Sequence, residues 1–147
     1  MPTLIERIET DYKTALKAGE RLRVDTLRLI KAGIQRAASD KRKDSLDDPE
    51  VVQVLAQQAK QRRETIDAAK KNSRQDVLDQ ANQELALLSA YLPQQMSNDA
   101  LRTLIDEAVG AVGAQQGAIM KYVMAKAAGA ADGKVVSQLV AERLKRG

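Results

Sequence analysis

Gly117-Ala118-Ile119-Met120-Lys121-Tyr122-Val123-Met124-Ala125-Lys126-Ala127-Ala128-Gly129-Ala130-Ala131-Asp132-Gly133-Lys134-Val135-Val136 is the stretch on which the reading of this chain turns. Ile119, Met120, Val123, Met124 and Ala127 recur at helical spacing, and Val135, Val136, Leu139, Val140 and Leu144 do so again after the turn. Gly129 stands where a glycine at C′ would end the first helix in a left-handed turn. Asp132 is placed to cap the second. The spacing predicts a short helical hairpin with Lys121, Lys126 and Lys134 around its turn.

Upstream the helical period continues. Thr3-Leu4-Ile5-Glu6 reads as a capping box opening a helix that Gly19 stops. A second helix is expected from about residue 21 to 38, and the charge-dense stretch 39–48 reads as a mobile loop. In Asp48-Pro49-Glu50, an N-cap carboxylate precedes a proline at the first helical position, starting a helix that should run to about residue 72. Ser73-Arg74-Gln75-Asp76 reads as another capping box, with Asp in place of Glu. It precedes the stripe Val77, Leu78, Ala81, Leu85, Leu88 and Leu92, which Pro93 should end. Ser97 caps a fifth helix that closes at Gly113. Alternation at period two never lasts the length of a strand. The sequence thus predicts an all-α protein, with an N-terminal module of about four helices over 1–92 and a C-terminal three-helix module over 97–147.

The 147 residues contain no Cys, His, Trp or Phe. A thiolate nucleophile, a disulfide, a Cys/His zinc site and imidazole acid–base chemistry are therefore excluded. Asp, Glu, Lys, Tyr and Ser remain, and they form no visible catalytic constellation. Asp47 and Asp48 are adjacent, but at a helix start they read as caps. Asp106 and Glu107 are helix neighbours that do not face one another. No catalytic residue, metal or cofactor is expected. The first twelve residues hold Glu6, Arg7, Glu9 and Asp11 with no apolar signal region. The longest apolar run, 85–92, is far short of the ~20 residues a membrane span needs. A soluble, cytoplasmic protein without membrane contact is the expectation.

Charge is modest in sum, +4, but uneven. Residues 21–43 hold eight basic residues against Asp25 and Asp40, and residues 117–147 hold six against Asp132 and Glu142. Such clusters can follow a phosphate backbone or simply coat a solvated helix. Between 60 and 74 the spacing allows Lys60–Glu64 and Asp67–Lys71 pairs that would balance much of the local charge. Tyr12, Tyr91 and Tyr122 lie in separate helices and offer no platform for stacking single-stranded bases. RNA, if contacted, would be folded RNA gripped through backbone charge and shape. Gly113 and Gly117, like Gly129 and Gly133, lack a P-loop ending and read as caps and turns. Met120 and Met124, four apart, read as core.

The order Gly117, Met120, Lys121, Gly129, Asp132, Gly133 resembles the tail of the YqeY family, which is shared with the C-terminal domain of the GatB subunit of tRNA-dependent amidotransferases. Tyr91-Leu92-Pro93-Gln94-Gln95-Met96-Ser97 is similar to the family's junction, and residues 23–35 and 54–67 look like its first helices. The resemblance covers nearly the whole chain. It implies structural roles for Tyr91, Pro93, Gly117, Met120, Gly129, Asp132 and Gly133. By analogy with a tail that helps hold tRNA, it implies a non-catalytic accessory protein that contacts tRNA or other structured RNA, with Lys121, Lys126 and Lys134 as candidate contacts. Carbon–nitrogen ligase chemistry with glutamine as amido donor would be inherited by name, not performed. Two positions depart from the pattern: Ala118 follows the first glycine, where the family often has lysine, and Ala130 follows the turn glycine, where it often has a basic residue. The competing class is a protein–protein adaptor that docks a partner on an amphipathic helix face.

Overall fold

The computed structural model describes residues 2–146, which form seven helices and no strand. Two compact units divide the chain, Met1–Leu92 and Pro93–Gly147. The first holds α1 (Leu4–Ala18), α2 (Arg21–Asp40), α3 (Asp48–Lys71) and α4 (Gln75–Ser89). The second holds α5 (Asn98–Val112), α6 (Gln116–Lys126) and α7 (Gly133–Arg146). Among the described residues no helix is long and apolar enough to cross a membrane.

In the first unit α1 packs on α2 and α3 on α4. Ile8, Leu27, Ile30, Val51, Leu55 and Leu88 are almost wholly withdrawn from solvent. Each such side chain contributes roughly 1.5–3 kcal/mol by leaving water. The helix ends show why the chain divides where it does. Thr3 accepts from the Glu6 N–H, the first half of the expected box. Gly19, at φ +70°, closes α1 with its N–H on the Ala15 and Leu16 carbonyls, a left-handed conformation that glycine adopts without a Cβ clash.

Five expectations are corrected in this unit. The cap of α3 is Asp47, not Asp48: Asp47 accepts from the Glu50 N–H at 2.9 Å, and Glu50 returns the bond to the Asp47 N–H at 3.0 Å. Asp48, now the first helical residue, accepts instead from the N–H of Leu4 at 3.0 Å and so caps α1 from 44 residues away. Ser73 does not open α4. It sits at φ +55°, and the Arg74 N–H turns back to the Ala69 carbonyl at 2.9 Å, so these residues close α3.

The stretch after α2 is tied down. Lys41 and Lys43 pair with Glu50 at 3.0 and 2.6 Å, and Leu46 is 5% exposed within the core. α4 closes at Ser89, before Pro93, and Tyr91 and Leu92 turn back into the core. The Lys60–Glu64 pair does not form. The contact that does form is Arg62 to Glu84 at 3.1 Å, between α3 and α4 with the carboxylate almost buried. The Arg62 Nε–H makes no aligned hydrogen bond, so this attraction is chiefly Coulombic.

In the second unit each helix packs on the other two. Leu101, Ile105, Ala108, Ile119, Val123, Val136 and Val140 form its centre. Met120 and Met124 pack against that centre at helical spacing, in the filler role expected of them. Ser97 accepts from the Ala100 N–H at 3.1 Å, and α5 closes at Gly113.

Candidate nucleic-acid interface on the C-terminal unit

The motif segments of the second unit meet at one place. Gln95 donates from its amide to the Gly129 carbonyl at 2.9 Å, and the Met96 N–H donates to the Ala130 carbonyl at 2.8 Å. The turn between α6 and α7 is thereby stapled to the segment that leads into α5. Gly129, at φ +78°, supplies the left-handed residue, two positions beyond the C-cap Ala127 and so one later than the C′ position expected. Ala130 serves through its backbone, which explains how the turn tolerates a residue without a cation there. Asp132 accepts from the Lys134 N–H at 3.2 Å and caps α7. Gly117 and Gly133 are helical, not turn residues: Gly117 lies on the first turn of α6 with open space around it, and Gly133 opens α7 near Met124.

The other junction residues divide between the units. Tyr91 is buried in the first, where its hydroxyl donates to Asp11 and the Arg7 guanidinium lies 5.4 Å from its ring. Burial first, and the Asp11 carboxylate second, push its phenol well above the usual range. Pro93 begins the second unit, and its carbonyl accepts from Gln95 at 3.3 Å.

The three lysines are not equivalent. Lys121 is exposed on α6 and has no ion-pair partner among the described residues. It lies four residues after Gly117, so the two share a face. A helical side chain leans toward the N-terminus, over the turn before its own Cα. Lys121 is the sixth residue of α6, whose start receives no side-chain cap from Gln115. Lys126 is engaged: its ammonium is 3.0 Å from Glu107 and 5.0 Å from the centre of the Tyr122 ring, while the Tyr122 hydroxyl donates to the same carboxylate at 2.9 Å. The bonds from Lys126 and then Tyr122 hold the Glu107 carboxyl below its ordinary range, and Glu107 in turn raises Lys126. Lys134 is exposed in the first turn of α7 beside the Asp132 cap.

Sequence reasoning alone misses Glu107. The i,i+4 spacing of Tyr122 and Lys126 is visible in the chain, but their acceptor lies on another helix. Asp106 likewise takes Arg143 at 2.7 Å. The two adjacent carboxylates therefore serve two different helices, α6 and α7. No group of His, Cys, Asp or Glu suited to a metal ion occurs among the described residues.

Comparison with known proteins fits this architecture. Over 88 residues the chain is 30% identical to the Eremothecium gossypii protein named Altered inheritance of mitochondria protein 41, mitochondrial. The matched stretch is 60% of this chain and 48% of the relative, so the chain spans about half the length of that curated relative. The family model described as Yqey-like protein matches residues 5–144, and on that match, which spans both units, the chain belongs to the YqeY family.

Proposed function

We propose that this protein is a non-catalytic accessory factor that contacts tRNA or another folded RNA through the start of α6. Family membership supports a relation to the GatB tail. The observation that carries the reading is Lys121, an exposed cation on the second turn of a helix whose start has no side-chain cap. Backbone N–H groups there lack helical partners and favour a phosphate. Gly117 leaves room for its approach. Lys126 is a reserve: its exposed pair with Glu107 is of the kind worth at most about 1 kcal/mol, and a phosphate could displace the carboxylate. The start of α7 is less suited, because the Asp132 carboxylate already occupies it. No Cys or His supplies a nucleophile or base, which favours binding over chemistry.

The test compares wild type, Lys121→Gln and the triple Lys121→Gln/Lys126→Gln/Lys134→Gln variant for tRNA binding across a salt series. Glutamine keeps helix propensity nearly constant, and circular dichroism checks it. Removing one lysine–phosphate interaction should lower the salt slope by about 1 and weaken binding irrespective of sequence. Most of the weakening should appear in the single variant. Equal affinities and equal slopes in all three proteins would remove α6 from RNA binding and return the weight to the adaptor reading.

A further inference from the structure

The first unit carries a feature that the RNA reading leaves unused. Between the start of α2 and the second half of α4 lies an open groove of about 570 Å³. Leu22, Ala86, Leu87 and Ala90 supply its apolar lining, and Glu20, Arg21 and Arg23 its charged side. The charges there do not balance. Arg21 is exposed and has no ion-pair partner among the described residues. Arg23 reaches Glu20 only at 3.7 Å, and its Nε is buried with no hydrogen-bond partner. Two guanidinium groups thus face one carboxylate. An incoming carboxylate would pair with the exposed Arg21 and with the solvent-open part of the Arg23 side chain, which is 41% exposed.

We propose that this groove docks an acidic amphipathic helix of a partner protein, with apolar side chains in the lining and carboxylates on Arg21 and Arg23. The geometry favours a helix. Ala86 on α4 and Ala90 at its C-cap are one turn apart and keep the floor low, so a third helix could approach two packed helices at the usual ~8–10 Å between axes. An added strand would need a sheet edge, and a polyproline peptide an aromatic-lined groove; the described residues form no strand and the lining holds no aromatic residue. RNA fits poorly: folded RNA offers phosphate and sugar but no apolar side chains to fill the Leu22, Ala86, Leu87 and Ala90 lining.

The experiment uses the full chain and a fluorescein-labelled helical peptide with leucines along one face and glutamates flanking them, read by anisotropy. A control peptide carries lysines for the glutamates. Wild type should bind the acidic peptide and not the basic one. Arg21→Gln/Arg23→Gln should weaken binding by about tenfold or more, the equivalent of removing one charge-assisted hydrogen bond. Ala86→Glu/Ala90→Glu should abolish it by filling the groove with like charge. Ala86 and Ala90 are exposed and glutamate is a good helix former, so the second variant tests the site without disturbing the core. Four results would overturn the proposal: no binding of the acidic peptide, equal binding of both peptides, unchanged affinity in both variants, or competition of the peptide by tRNA. Self-association that Ala86→Glu/Ala90→Glu removes would also overturn it, assigning the groove to a second copy.

Discussion

In the N-terminal unit polar side chains tie distant segments together from partly buried positions. Tyr91 reaches Asp11, Asp48 reaches the N–H of Leu4, and Lys31 lies 3.0 Å from Glu9. In the C-terminal unit the corresponding contacts, Lys126 and Tyr122 on Glu107 and Arg143 on Asp106, sit on the exposed surface of an apolar centre. The difference separates two uses of charge. Partly buried cross-links specify which segments pack, whereas exposed pairs contribute little stability and can exchange partners. The second unit is also the smaller, and a helical unit of its size has little core to spare.

The largest effect that would break this comparison is a cavity in each centre. Ile119→Ala and Leu55→Ala should each cost about 3–4 kcal/mol. Hydrogen exchange should then show Ile119→Ala opening residues 98–146 while residues 4–89 keep their protection, and Leu55→Ala should give the reverse pattern. Uniform loss of protection across the chain in Ile119→Ala would mean that the units unfold as one.

Next in size is Glu84→Ala, which leaves Arg62 largely buried without its counter-charge. Removing one member of a buried pair costs about 3 kcal/mol or more. The matching change on the exposed side, Glu107→Ala, should move the urea midpoint very little. Comparable destabilisation in the two variants would erase the distinction between buried cross-links and surface pairs.

The smallest effect is set by pH. Lys43, then the Asp47 backbone, then Lys41 hold the Glu50 carboxyl down at about 2, below its ordinary value near 4.5. Because the folded value is the lower one, this clasp stabilises fully above pH 4.5 and is lost as pH falls toward 2. Protection of amides in residues 41–50 should therefore decline across that window before the core opens. At neutral pH, Glu50→Gln should raise the rate of tryptic cutting at Lys41 and Lys43. Unchanged cutting would show that Leu46, not the ion pairs, holds this stretch.

How far the sequence can be read depends on the range of each interaction. The caps at Thr3, Gly19, Ser97 and Asp132 are local, so residue type and spacing suffice. The stretch after α2 looks free because its anchors, Glu50 and a core pocket for Leu46, lie outside it. Ser73 misleads because serine is a common N-cap, while the left-handed conformation it adopts here shows only in the backbone. At the candidate interface, spacing places Lys121, Lys126 and Lys134 around one turn. It cannot show that Glu107, on another helix, already engages Lys126.

The bond from the Leu4 N–H to Asp48 has a consequence in time. One free donor at the start of α1 finds its acceptor 44 residues later in the chain. Chains are made N-terminus first at about 5–20 residues per second, so α1 waits roughly 2–9 s for the residue that completes its first turn. Thr3 and α2 are made earlier and can support α1 meanwhile, so what waits for residue 48 is this one donor and the tie between the starts of α1 and α3.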